Sequence, residues 1–312
     1  MSTELTISQQ ILELTRKKVA AGEVHPSRTR PTKPIRRSKV QMQSISDTIL
    51  KLVEAEQPMT VRQIYYRLVS NSAIGKTEGE YKQTVCRLLA DMRRSGVMPY
   101  HWIADNTRWQ RKPQTYSSMG EMLHQSQESY RRAIWNSQAC NVEIWLEKDA
   151  LAGVLYDVTA EWDVPLMVTR GYPSLTYLHS CAEAMSREKP TYIYYFGDWD
   201  PTGVDIPRKV EKDLRNFARD AKIHFKRVAV TREQIKVYSL PTRPTKKSDT
   251  RSTKFKGDSV EVDAIPPTEL RRLASDCITR HVDRHEYDQL QRIEKLERDN
   301  LATWIERIVN GA

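Results

Sequence analysis

Cysteine is scarce in this 312-residue chain: Cys86, Cys140, Cys181 and Cys277 stand far apart, with no C-x-x-C spacing. That scarcity sets aside a disulfide framework and a cysteine-built zinc site, and leaves four buried or inert thiols. Long apolar runs are missing too. No stretch approaches the ~18 consecutive apolar residues of a membrane span, and the opening MSTELTISQQ has neither a basic n-region nor an apolar h-region. The expectation is a cytoplasmic protein with no membrane association. No internal repeat is found. Acidic residues are almost absent from one region: between Arg16 and Lys39 only Glu23 is acidic, among Arg16, Lys17, Lys18, Arg28, Arg30, Lys33, Arg36, Arg37 and Lys39, with Pro26, Pro31 and Pro34 interspersed. Such a segment is either an extended arm that tracks phosphates or a solvated tail.

What is present fits a folded chain of two modules. A single core rarely grows much beyond about 250 residues. Hydrophobic residues make up 39% and charged residues 29%, the balance of a globular protein. The net charge of +10 favours a polyanion as partner, without separating DNA from RNA or an anionic surface.

After the arm (1–40), Ile45, Ile49, Leu52 and Val53 recur at helical spacing, up to Gln57-Pro58. Thr60 and Gln63 form a Thr-x-x-Gln capping box ahead of VRQIYYRLVS, which predicts a second helix. Tyr81, Val85, Leu88, Leu89 and Met92 predict a third, closed by Gly96 as a left-handed C-cap residue. MPYHWIADNTRWQRKP then has the character of a strand and wing, with Arg108, Arg111 and Lys112. Three helices and a wing are the order of a winged-helix DNA-binding unit, here assigned with a connecting helix to 41–138. The exposed side of its third helix would carry Lys82, Arg87, Arg93 and Arg94. From 139 to 312 the pattern becomes βα: strands at 142–146, 164–169, 191–196 and 225–230, helices at 149–161, 174–187 and 203–219, a basic loop at 243–257, and a charged helical segment from Pro266 to Val309. The fold expected is α/β, an N-terminal winged helix followed by a Rossmann-like parallel sheet.

Chemistry is suggested at three places. In YYFGDWDPTG, Asp198 ends an apolar strand and Asp200 follows at the spacing that lets both side chains point the same way, a hard oxygen pair suited to magnesium. Taken alone, D-x-D is equally a loop or capping feature. NVEIWLEKDAL places Glu147 and Lys148 at the end of the first strand, from which they could reach the same crevice. On the VRQIYYRLVS helix, Val61, Ile64, Tyr65 and Leu68 share one face, so Tyr65 belongs to the core; Arg62 and Tyr66 share another, where Tyr66 is free to meet a phosphate. An arginine one turn from a tyrosine can stabilise a phenolate whose free pKa is about 10, although an ordinary amphipathic tyrosine at a helix edge has the same spacing. His281, Asp283 and His285 look like ligands but lie among charged residues, and are read as a solvated face.

A glutamate after the first strand and D-x-D after a later one resemble the Toprim domain of topoisomerases and primases, with Glu147, Asp198 and Asp200 on its acidic positions. R-x-x-Y-Y followed by E-K-D-A and G-D-x-D-P-x-G resembles, over roughly residues 58–275, the A subunit of DNA topoisomerase VI and the related meiotic double-strand-break transesterase. GYPS (171–174) and VEVDAIPP (260–267) also look like segments of that family. The resemblance implies a type IIB topoisomerase-like enzyme of winged-helix and Toprim domains. In it Tyr66, assisted by Arg62 and Lys148, cleaves double-stranded DNA and stays joined to the 5′ end, while Glu147, Asp198 and Asp200 hold Mg2+ or Mn2+. It further implies a homodimer with a composite site, and a separate ATPase B subunit for strand passage. The chain is compact for an A subunit and has no ATPase module; a free-standing A-like protein of the kind carried by mobile elements fits it as well. A hydrolytic Toprim nuclease and a catalytically silent DNA-binding dimer are the alternatives.

Overall fold

The computed structural model describes residues 37–104, 112–245, 255 and 257–310. Most of the basic arm, Arg108 and Arg111 of the expected wing, and much of the basic loop lie outside the described residues. The chain divides into two units, residues 1–44 and 45–312. Of the first, the described part is the start of helix α1 (Lys39–Glu56); the sheet and the candidate site lie in the second.

Helix α1 buries Ile45, Ile49, Leu52 and Val53, the face its spacing predicts. Helix α2 (Val61–Ser70) begins at the predicted box: Thr60 accepts from the Gln63 N–H, and the Gln63 side chain accepts in return from the Thr60 N–H. The third helix differs from expectation at its start. Residues Glu80–Cys86 form a π-helix that runs into α3 (Arg87–Arg94). Hydrophobic spacing carries no signal for such wide turns; here they carry Tyr81, on whose ring Arg62 stacks at 4.2 Å and Tyr65 packs edge-on at 5.4 Å. Gly96, at φ +76°, follows the helix as predicted, its N–H donating to Arg93 O. The strand expected next is, over its described part, a 3-10 turn (Tyr100–Trp102) and a single bridge from Ile103 to Met59. Pro99, which has no N–H to give to a ladder, precedes that turn.

Four strands, β1 (Asn141–Leu146), β2 (Leu166–Val168), β3 (Thr191–Phe196) and β4 (Ile223–Ala229), form a sheet in the order β2-β1-β3-β4 with every pairing parallel. Helices α5 (Ala152–Glu161), α6 (Leu175–Ala184) and α7 (Pro201–Phe217) make the crossovers, and the architecture is a mixed α/β one with a small parallel sheet flanked by helices. The central strands are apolar almost throughout because both faces are covered. Trp145, Ile193 and Tyr195 pack with Leu178, Ile206, Val210 and Leu214. Ile144, Leu146, Tyr194 and Phe196 belong to the other cluster, with Leu155, Leu270 and Ala274. That second cluster is continuous with the buried residues of α1 and α2, so one core runs from Ile45 to Leu290. Each large side chain buried there contributes roughly 1.5–3 kcal/mol.

Beyond β4 come α8 (Arg232–Val237), α9 (Pro267–Thr279) and α10 (Arg284–Asn310), which packs against α4 (Met119–Ser129). Among the described residues no helix is long and apolar enough to cross a membrane.

Candidate functional site

Parallel strands all end on the same side of the sheet, which gathers the residues following them. The pairing of Leu146 with Phe196 sets Glu147 beside Gly197. The Glu147 N–H donates to Phe196 O (2.9 Å), and Glu147 Oε2 accepts from the Asp198 N–H (3.0 Å). Two glycines permit this closeness: a Cβ at Gly197 would run into Glu147 Oε2, and one at Gly203 into the Asp198 carbonyl. Arg227, on β4, fastens the turn from beneath. Its guanidinium donates to the carbonyls of Gly197, Asp198, Gly203 and Val230.

The two aspartates have different hydrogen-bond partners. Trp199 between them pairs with Val260 in both directions, at 2.8 and 2.9 Å, and Pro201 starts α7 at once. Asp198, 8% exposed, turns inward, where Oδ1 accepts from the Val262 N–H at 2.8 Å and lies 3.2 Å from Lys148 Nζ. Asp200 Oδ1 caps α7 by accepting from the Gly203 N–H at 2.7 Å. The capping role open to a lone D-x-D is therefore the one Asp200 performs here. Burial, and then the Asp198 charge, push the Glu147 carboxyl up to about 7. Burial also raises Asp198, against the opposing pull of Lys148 and the Val262 N–H.

Lys148 is the centre of the cluster. Its ammonium lies 2.6 Å from Asp263 Oδ2, 3.1 Å from Glu261 Oε2 and 3.2 Å from Asp198 Oδ1. Burial alone would lower its pKa; the three carboxylates outweigh burial and hold it well above the usual value, so it is charged. Glu261 meets two further cations, Arg243 at 3.1 Å and Arg62 at 3.9 Å. Asp263 accepts from the Thr60 hydroxyl at 3.4 Å, which ties the start of α2 to the turn at Val262–Ala264.

Tyr66 corrects an expectation. It is 3% exposed, as buried as Tyr65 at 4%, rather than free at an open face. The α2 helix is covered on the Arg62 side too, by the Val262–Ala264 turn, a long-range contact that helical spacing cannot reveal. Burial and then Glu261 raise the Tyr66 pKa, while Lys148 and Arg62 oppose the rise. Lys76 lies 5.6 Å from the centre of its ring. Tyr65 instead donates its hydroxyl to Thr77 O at 3.3 Å.

Of the residues singled out from sequence, Arg62, Lys148 and Asp198 thus meet around Glu261 and Asp263, with Glu147 against Asp198, Asp200 capping its helix with one oxygen and 3.9 Å from Arg243 with the other, and Tyr66 buried on the same helix as Arg62. Glu147, Asp198 and Asp200 are hard oxygen donors, each with one oxygen oriented by a backbone N–H, which suits a divalent cation in kind. They do not close around a common point: among the described residues no group of three or more His, Cys, Asp or Glu is placed to hold a metal ion. Sequence reasoning missed Arg227, Glu261 and Asp263, and had Arg243 only as the first residue of the basic loop at 243–257. Glu261 and Asp263 stand two residues apart in VEVDAIPP, so their alternation was visible although their partners were not. His281, set aside as part of a solvated face, is half-buried and hydrogen-bonded to the Tyr194 hydroxyl at 2.6 Å, whereas Asp283 and His285 are exposed. No family model and no curated protein sequence matches the chain.

Proposed function

We propose that the chain binds double-stranded DNA and cleaves it by transesterification through Tyr66, as a winged-helix and Toprim protein of the topoisomerase VI A-subunit kind. The observation that carries this reading is that Arg62, on the helix of the buried Tyr66, and Lys148, at a strand end beside Asp198, meet at the Glu261 carboxylate, at 3.9 and 3.1 Å, although 86 residues of sequence separate them. A nucleophile, cations for a phosphate and strand-end carboxylates are the parts such a reaction needs.

In the reaction the Tyr66 oxygen forms a bond to phosphorus, the bond from phosphorus to O3′ breaks, the phenolic proton is lost and the leaving oxygen is protonated as the 3′-hydroxyl. No oxidant or energy source is required, since one phosphodiester replaces another. Arg62 and Lys148 bind the phosphate and offset its charge. Mg2+ or Mn2+, held by Glu147, Asp198 and Asp200 once these draw together, would supply further charge neutralisation at the phosphate. A homodimer and a separate ATPase B subunit remain part of the proposal as the route to strand passage.

The burial and raised pKa of Tyr66 favour a second reading, a hydrolytic nuclease that uses the acids without the tyrosine. One assay separates them. Protein is incubated with supercoiled plasmid and Mg2+, stopped with detergent, and run with and without protease. Cleaved DNA that enters the gel normally only after protease, and none from Tyr66→Phe, is the expected result. Free 5′-phosphate ends from Tyr66→Phe would establish hydrolysis instead.

A further inference from the structure

Three cations converge on one carboxylate beside Tyr66. Arg62 comes from α2, Lys148 from the end of β1 and Arg243 from the segment after α8; they reach Glu261 at 3.9, 3.1 and 3.1 Å. Lys148 has two other carboxylates, Asp263 and Asp198, within 3.2 Å. Among the described residues, the arginines have one other carboxylate partner each, Glu78 for Arg62 and Asp200 for Arg243, both at 3.9 Å. Glu261 is therefore the nearer anion for Arg243 and shares Arg62 with the more exposed Glu78, and its side chain is only 11% exposed. A phosphodiester presents the same feature, a single negative charge spread over two oxygens, and arginine forks bind carboxylate and phosphate alike.

We propose that Arg62, Lys148 and Arg243 form a phosphate-binding site, occupied in the DNA-free chain by the carboxylate of Glu261, which a backbone phosphate of DNA must displace. The assignment of that phosphate to DNA rests on the function proposed above; the anion site itself does not. In this arrangement Glu261 acts as an internal competitor. It keeps the guanidinium groups and the ammonium oriented while no DNA is present, and it weakens the binding of any external phosphate by the strength of its own contacts. Tyr66, which feels the charges of Glu261, Lys148 and Arg62, would pass from the neighbourhood of a fixed carboxylate to that of a phosphate when the exchange occurs.

The test compares full-length wild type, Glu261→Gln, Arg243→Gln and Arg62→Gln for binding of a fluorescent 20-base-pair duplex without divalent metal, and for the rise in melting temperature on adding inorganic phosphate. Glu261→Gln keeps the shape and removes the competing charge, so duplex affinity should rise roughly tenfold and the phosphate-induced melting shift should grow. Arg243→Gln and Arg62→Gln should each weaken duplex binding severalfold and reduce the phosphate shift. Equal or weaker duplex binding by folded Glu261→Gln would overturn the proposal. If that variant does not fold, unchanged affinity and phosphate shift in both arginine variants would overturn it as well. Because neither measurement involves cleavage, the predicted pattern in a protein that never cuts DNA would leave the anion site standing while the transesterase reading fell.

Discussion

The cations of the third helix and those of the strand-end cluster are the same residue types in opposite circumstances. Lys82 and Arg87 pair with Glu78 and Asp91 of their own helical segment at 3.4 and 3.8 Å, with side chains 69% and 74% exposed. Exposed pairs of this kind are worth about 0–1 kcal/mol, and a polyanion can replace the partner at little cost. Lys148 is 24% exposed and held by three carboxylates from distant parts of the sequence. Its charge is compensated before any ligand arrives. Under the proposed DNA-binding function, the outer cations would make first contact with DNA, whereas the inner ones would become available only by exchange.

The sharpest way to break this contrast is to remove one cation from each region. Lys148→Met would strand Asp198, Glu261 and Asp263 together in a poorly solvated site, and stability in urea should fall by ~3–5 kcal/mol. Arg87→Ala should change stability by no more than ~0.5 kcal/mol. Similar small losses for both would show that the cluster is far better hydrated than its distances suggest.

A smaller effect separates the regions by pH. An unfolded glutamate titrates near 4.3, while Glu147 in the fold is pushed up to about 7. Between those values the unfolded chain has released a proton that the folded chain retains. Stability therefore falls as pH rises through that window and stays reduced above it, by on the order of 3–4 kcal/mol. Asp198 is raised too and acts in the same direction. Glu147→Gln keeps an acceptor for the Asp198 N–H and removes the titration, so its melting temperature should exceed that of wild type at pH 8 and approach it at pH 4.5. Parallel melting profiles for the two proteins would show that Glu147 titrates as an exposed acid does.

The smallest effect belongs to the outer surface. Every DNA phosphate that the protein no longer neutralises lowers the slope of log affinity against log salt by about 0.9. Arg87→Ala and Arg94→Ala should each flatten the slope of duplex binding by up to that amount, and deletion of residues 1–36 by more. A slope unchanged by all three would place the DNA on another face.

The course of the strands was legible because both faces of the sheet are covered: TYIYYF lacks the alternation of a half-exposed strand and marks β3 at its observed ends. The capping box of α2 was legible for a similar reason, since Thr60 and Gln63 interact within one turn. Less could be read where partners are distant. The pairing of Lys148 with Asp263 spans 115 residues, and no local pattern encodes it. The same holds for Tyr66, whose face looked open on a helix viewed alone and is closed by a turn nearly 200 residues later. The Asp198 and Asp200 spacing was seen correctly, but the bridge from Trp199 to Val260 and the demand of α7 for a cap decide where each points.

That cap links ion chemistry to the helix it terminates. Asp200 Oδ1 holds the Gly203 N–H, and the Asp200 carbonyl accepts from the Val204 N–H at 2.9 Å, so one residue secures the opening turn of the 17-residue α7. An oxygen drawn away to an ion would leave the Gly203 amide without its partner and loosen that turn. Faster hydrogen exchange at Gly203 and Val204 on adding Mg2+ would then register the rearrangement of the aspartate from the helix side, in a protein where no substrate has been supplied.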